Sequence, residues 1–371
     1  MSQKFTIQVN APGFDNSSLV AEQLIGFSFA ESLSGCARFA LKVETQNARQ
    51  YDSFIKNDET PFTLRFGTNE NPDAPKQSRQ KSLRVLFSTR KLIGNARAQF
   101  VFKGTCNGVL LNRHRTKDKH WNKKRISEIV EELISDAGLT PKVAQTEGKF
   151  TLSGANLPTG KFINQSILPY AFSQKGRDWR LWVEDGKTVH FEPTTPSGSV
   201  KFTNLYRDGW VKLKSPRVIK DTRMQDVDRS GKIEVVMYDA DNDRLVRQEI
   251  GEGAGQFNYL GSGRPVERKH VSESLIINMA RDRQTDLQPD KLVRQVGQTV
   301  WGRYGRSLYR LVGMCEFEPG ISINQTATVD LTGPLGTQDV NTGQWVVSGV
   351  KHVNSGGALK TMVVCEKRWE R

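Results

Sequence analysis

Several residue groups have types that could do chemistry, and their spacing decides against most of them. Asp239, Asp241 and Asp243 alternate like the first ligands of a calcium loop. The sixth position is Arg244 where the tight turn needs Gly, and the twelfth is Ile250 where bidentate ligation needs Glu. The segment reads as a hairpin turning at Asp241-Asn242-Asp243. Gly251, Gly253 and Gly255 suggest a phosphate cradle, but no Gly-Lys-Ser/Thr follows and the dinucleotide spacing is absent. The histidines at 114, 120, 190, 270 and 352 form no metal-ligand spacing, and no serine sits in a G-x-S-x-G elbow. Glu316 and Glu318 fall on the same side of a strand, a pairing suited to acid/base work but more often a solvated rim. Cys36, Cys106, Cys315 and Cys365 make no C-x-x-C pair and read as small buried apolar residues. No catalytic residue, cofactor or metal is expected, and the protein is expected not to be an enzyme, although catalytic sets can assemble from distant positions.

The sharpest feature is electrostatic. Residues 113–125, RHRTKDKHWNKKR, hold seven cations against one Asp: Arg113, Arg115, Lys117, Lys119, Lys123, Lys124 and Arg125. They are candidate partner-docking residues. Charge interleaved with Trp121 suits phosphate binding with ring stacking. An acidic protein surface would meet the same charge, and so would solvent. No helix-turn-helix, zinc-finger or RNA-recognition pattern supports the nucleic-acid reading.

The elements that must position this run are mostly strands. The 371 residues carry a net charge of +14, and Gly is abundant at 32. The composition fits a globular chain of two or three domains. No apolar run is long enough for a membrane helix and the N-terminus lacks a signal-type stretch, so synthesis in a cytoplasm-like compartment without membrane insertion is expected. Period-two alternation in Phe5-Ile7-Val9, Phe27-Phe29 and Phe39-Leu41-Val43 predicts half-buried antiparallel strands, continued by PFTLRFG, SLRVLFS and AQFVFKG. The polar stretch 67–80 reads as a loop.

After the basic run, Ile126, Ile129, Val130, Leu133 and Ile134 make one helical stripe with Gly138 as its stop. A second helix is expected over 159–174, bent or shortened by Pro169. Asp185-Gly186 between alternating runs predicts a hairpin. Residues 115 to about 200 thus read as an α+β insertion. Strands resume at WVKLKSP and 231–251, a helix is expected over 271–287, and from Gln295 onward the pattern reads as β. CARFALKVE and KIEVVMYD, each after Ser-Gly, hint at an internal duplication, as do FVFKG and WVVSG.

Two regions are similar to the baseplate hub proteins of contractile-tailed phages, a group including the late control protein D type and the N-terminal hub of the type VI secretion spike protein. One is KRISEIVEELISDAGLTP followed by TGKFINQSILPYAFSQKGRDWRLWVEDGKTVHFEP. The other is CEFEPGISINQTATVDLTG followed by GQWVVSGVKHVNSGGALKTMVVCEKR, with the Val-x-Gly-Val-x-His strand at Val347 to His352.

The resemblance implies a mainly β chain with two tail-tube-like antiparallel barrels and an inserted helix-and-hairpin module. Its expected division is 1–113 for the first barrel, 114–205 for the insertion, 206–250 with 295–371 for the second barrel, and 251–294 for a Gly-rich loop and helix packing on the insertion. It further implies a homotrimer at the tail tip of a virion, assembled in the host cytoplasm. Three chains of two barrels would present six tube-like units to a tail tube above and threefold symmetry to a central spike below, beside other baseplate proteins. The chain ends without needle repeats, so spike and wall-cutting activities are expected on other chains. Nucleic acid would enter only as DNA in the lumen. Two alternatives stand beside this: a basic nucleic-acid-binding module and an envelope-degrading tail hydrolase.

Overall fold

A computed structural model describes residues 5–10, 23–51, 61–68, 76–93, 97–172, 179–220, 232–239, 242–251, 258–259, 271–277, 284–306, 309–333, 336–339, 341–355, 357–367 and 369–370. The first sheet half comprises β1 (Phe5–Asn10), β2 (Leu24–Ser32), β3 (Gly35–Thr45), β4 (Pro61–Thr68), β5 (Lys76–Gln77), β6 (Lys81–Ile93) and β7 (Arg97–Cys106). The period-two reading holds residue by residue: Phe27, Phe29, Phe39, Leu41, Val43, Phe100 and Phe102 point into one core. Within 67–80, β5 pairs with Gly67 and Thr68 instead of forming part of a loop, and residues 69–75 lie outside the described residues.

A helical turn, α1 (Leu110–Arg113), leads into β8 (His120–Arg125) and α2 (Ile126–Asp136). The whole predicted stripe of α2 is fully buried, and Gly138 follows at φ 73° to end the helix. Burying five aliphatic side chains at roughly 1.5–3 kcal/mol each anchors this helix far more strongly than its surface ion pairs, at about 0–1 kcal/mol each. Next come β9 (Thr140–Val143), β10 (Lys149–Ser153) and α3 (Thr159–Phe162), which passes through a π turn into a 3-10 turn ending at Tyr170. The expected second helix is therefore shorter and irregular: Pro169 lies at the start of the 3-10 turn, where its missing N–H costs nothing. β11 (Trp179–Glu184) and β12 (Thr188–Pro193) form the predicted hairpin, turning on Asp185 and Gly186 at φ 51° and 79°.

β13 (Ser199–Thr203), β14 (Val211–Lys212) and β15 (Lys214–Lys220) return to the main sheet. β16 (Lys232–Asp239) and β17 (Arg244–Gly251) make the expected hairpin; the short β18 (Asn258–Tyr259) precedes β19 (Val271–Ile277), which pairs with β16, so the hairpin lies in a sheet separate from the main one. Two expectations fail here. The helix expected over 271–287 is a strand in its first half, parallel to β16, because Val-Ser-Glu-Ser-Leu-Ile-Ile is rich in residues that fit a pleated surface. After β20 (Gln284–Thr285) the helix comes later, as α4 (Pro289–Arg306), reaching into the stretch read as β from Gln295. Leu292, Val293 and Val296 are its buried face, and Pro289 with Asp290 is a favourable first turn. The rest of 251–270 falls largely outside the described residues. Because β16 lies in a separate sheet, it does not occupy a position equivalent to β3, which removes the first of the two duplication hints.

The last strands are β21 (Tyr309–Glu316), β22 (Thr326–Asp330), β23 (Gly343–Ser355), β24 (Ala358–Lys367) and β25 (Trp369–Glu370). Fourteen strands form one mostly antiparallel sheet, ordered β1-β4-β6-β7-β3-β2-β23-β22-β13-β14, with β5 on β4 and the run β24-β21-β15 branching from β23. β23 is the junction. Residues 343–346 pair with β22, residues 349–355 pair with β2, and its other edge pairs with β24. The predicted antiparallel β architecture with an α+β insertion is present. Its two barrels are not separate closed bodies: among the described residues neither half closes, and the halves fuse through β2 and β23. One apolar cluster is shared by the first half, the insertion and the β16–β17 hairpin, and a second fills the C-terminal half.

Candidate docking surface and buried ionic joint

The basic run lies on α1, a turn and β8, with α2 folded back beside it. Lys119 Nζ reaches Asp136 at 2.6 Å and Glu132 at 3.3 Å, and Lys124 Nζ reaches Glu132 at 2.9 Å. The hydrogen bond to Asp136, joined by that to Glu132 and by both charges, raises the Lys119 pKa against desolvation. The Arg125 backbone N–H donates to Glu128 at 2.8 Å, and the Arg115 guanidinium donates to the Asn156 carbonyl at 3.0 Å. Arg113, Lys117 and Lys123 stand exposed. Trp121 is 1% exposed and stacks on Phe162, with ring centroids 5.8 Å apart. It is a core residue, so the predicted combination of charge and a stacking ring is not presented to a ligand.

A larger cationic surface lies on the outward face of the sheet, where strand register assembles it. Arg84, Thr105, Arg38, Ala30, Lys351, Met362, Met314 and Lys214 are successive cross-strand partners from β6 to β15. At the strand spacing this row runs roughly 34 Å. The adjacent row reads Phe87, Lys103, Ala40, Ser28, Val353, Lys360 and Glu316. Arg38, Lys103, Lys214, Lys351 and Lys360 are exposed, Phe87 is 53% exposed and Met362 41%. Glu316 is the one carboxylate in the two rows, 3.8 Å from Lys214. Glu318 turns away to Lys76 at 2.9 Å, so the two glutamates do not act as a pair. Single-sequence reading missed this surface because its residues span positions 28 to 362. Alternation along each strand marks most of them as outward, and the register shift between Val85 and Phe87 turns Phe87 out against it, but only register sets them side by side.

Behind this face is a buried ionic joint. Lys81 Nζ on β6 lies 3.0 Å from Glu31 on β2 and 3.0 Å from Asp185 in the hairpin turn of the insertion. The Lys81 and Glu31 side chains are 5% and 4% exposed. Burial disfavours the ammonium, but the two carboxylates more than offset it and the Lys81 pKa is raised. Ser82 N–H donates to the Asp185 carbonyl at 2.8 Å, and a Cβ on Gly186 would meet the Ser82 carbonyl oxygen at 2.0 Å. The insertion thus docks on β6 through a turn that tolerates only Gly. Nearby, His352 on β23 is fully buried and hydrogen-bonded to Thr361; burial, with the charge of Lys81, pushes its pKa down to about 3, so it is neutral. On the far side of the hairpin, Arg180 meets Glu366 of β24 at 2.9 Å. Both sheet halves therefore hold the insertion by charges taken out of water.

His190 on β12 stacks on Trp182 at 4.6 Å, with Glu184 at 2.8 Å and Glu192 at 2.7 Å from its two ring nitrogens. Burial opposes its protonation, yet the hydrogen bond to Glu192 and the nearness of both glutamates raise its pKa. Close contact with His190, opposed by desolvation and aided by the charges of Arg79 and Lys142, holds Glu184 down at about 2. Among the described residues no three His, Cys, Asp or Glu side chains gather as a metal site.

No protein-family model and no curated protein sequence matches the chain. Solved structures do. The 43 kDa tail protein of prophage MuSo2 from Shewanella oneidensis superposes with a TM-score of 0.63 at 10% identity, covering 97% of each chain. A tail protein from Neisseria meningitidis MC58 gives 0.62 at 8% identity, over 98% of this chain and 96% of that one. The E. coli c3393 protein, a type VI secretion component described as similar to the T4 phage tail proteins gp27 and gp5, gives 0.53 at 8% identity, over 98% and 77%. At these identities the likeness concerns the fold: along nearly its whole length, the chain has the fold of phage tail proteins.

Proposed function

We propose that the protein is a structural, non-enzymatic baseplate hub of a contractile phage tail. In this reading three copies form a ring in the virion tail tip that adapts a sixfold tube to a threefold spike. The observation that carries it is the single sheet of fourteen strands in which β23 fuses two β halves, in a chain with the fold of phage tail proteins. Two tube-like halves per chain supply six units per trimer, and a closed ring of this kind needs a heterologous interface between neighbours. The cationic sheet face, with the exposed Lys123, faces solvent where acidic neighbours could meet it, and their complementarity would set orientation and partner choice. Light scattering of the purified chain checks the assembly: a trimer, or a monomer–trimer equilibrium, is expected. A strict monomer at high concentration that binds neither tube nor spike protein overturns the proposal.

A nucleic-acid role is the second reading, and the outward row of cations favours it over the connector. It requires affinity for duplex DNA that falls log-linearly with salt and loses slope when Arg38 and Lys351 are neutralised. Salt-independent binding, or none, removes it.

A further inference from the structure

Cys36 and Cys106, 70 positions apart and read from the sequence as unrelated, are brought together by an irregularity in β3. Ala30 pairs with Arg38, but two residues further along β2 Ser32 pairs with Gly35, so β3 carries one extra residue at 36–37. Such a bulge re-aims a side chain out of simple alternation. Ala37 lies on the inward face with Cys106, where regular alternation would turn Cys36 away. The bulge instead lays its sulfur beside that of Cys106. Both Sγ atoms crowd the same point, lying 3.1 and 3.2 Å from where a Cβ on Gly108 would be. Each sulfur shifts the other's titration: Cys36, with the backbone of Gly108 and Ala37 and against burial, lowers the Cys106 pKa, while Cys106, with burial, raises that of Cys36.

Access differs between the two sulfurs. Cys106 is fully buried, whereas Cys36 is half-buried and lines an outward groove of about 550 Å³ with Ala30, Ser32, Arg38 and Thr105. We propose that Cys36 and Cys106 form a reactive dithiol, with Cys36 the attacking and Cys106 the resolving sulfur, that a low-molecular-weight disulfide closes to an intrachain disulfide. This inference stands apart from the tail-hub reading.

The step balances. As Cys36 attacks the small disulfide R–S–S–R, its proton passes to Cys106, a Cys36–S–S–R bond forms and RS⁻ leaves. RS⁻ takes the proton back from Cys106 and departs as RSH. The Cys106 thiolate then attacks the Cys36 sulfur and expels a second RS⁻, which takes its proton from solvent. The two protein sulfurs are oxidised and the added disulfide is reduced to two thiols. The fully buried Cys315 and Cys365, whose pKa values burial pushes up, have neither an accessible sulfur nor thiolate character.

Titration of the folded full-length chain with oxidised glutathione tests this. Expected are a fall from four free thiols to two under denaturing conditions, a mass loss of two hydrogens, and a proteolytic peptide linking Cys36 to Cys106, all reversed by dithiothreitol. Cys106→Ser should stop at a stable glutathione adduct on Cys36, and Cys36→Ser should form neither adduct nor link. Alkylation of the unmodified protein should label Cys36 first, a readout independent of the variants' folding. A wild-type chain that accumulates the mixed disulfide without closing, labels Cys315 or Cys365 first, or links Cys315 to Cys365 overturns the proposal.

Discussion

The connector at 113–125 and the joint at Lys81 are both built from lysine ammoniums facing carboxylates at about the same distances. At the connector, Lys119 and Glu132 are each about a third exposed, and Lys124 nearly half. At the joint Lys81 and Glu31 are almost completely withdrawn from water. Water screens the first set, so its loss matters little, whereas the second has no solvent to fall back on. Density of charge along the sequence therefore pointed to a region where water screens the charges, while a Lys between Gln80 and Ser82 sits in the buried joint.

The largest effect should come from breaking the joint. Lys81→Ala leaves Glu31 buried without its partner and should destabilise the chain by about 3–5 kcal/mol in urea unfolding; a loss comparable to that of a connector lysine would erase the contrast. Gly186→Ala strains a left-handed turn and drives a methyl into the Ser82 carbonyl, at a cost of about 2–3 kcal/mol, detectable as early proteolysis of the insertion.

His190 gives a pH handle on the same hairpin. Its folded pKa is raised, so its contribution is complete below the unfolded value of about 6.5 and is lost as pH rises through the folded value. The stability difference between wild type and His190→Gln should shrink from pH 6 to pH 9; a constant difference would mean that the imidazole acts by packing alone. Smallest of all, Lys124→Ala should change stability by about 0.5 kcal/mol or less, and still less in molar salt.

Much of the fold was legible in the sequence where one face is wet and the other buried. The strands of the first half, the α2 stripe and the Asp185-Gly186 hairpin follow from local periodicity and turn chemistry, because such faces enforce period two or 3.6. The pattern failed at 271–277 and at 289–306. There the strand β19 lies in a small separate sheet, and α4 buries a narrow stripe that a short window does not distinguish from alternation. Trp121 was misread for a related reason: neighbouring cations describe its chain, not its surroundings.

The sequence by itself determined that the protein is a basic, β-rich chain with an α+β insertion and no catalytic fingerprint, since these depend on composition and short-range periodicity. Only the tertiary structure decided how β23 joins the two halves, which charges are buried at Lys81, which cations line up across the sheet from Arg84 to Lys214, and that a bulge sets Cys36 against Cys106. Each depends on the register between strands far apart in the chain, and a shift of one residue would turn every one of those side chains to the other face.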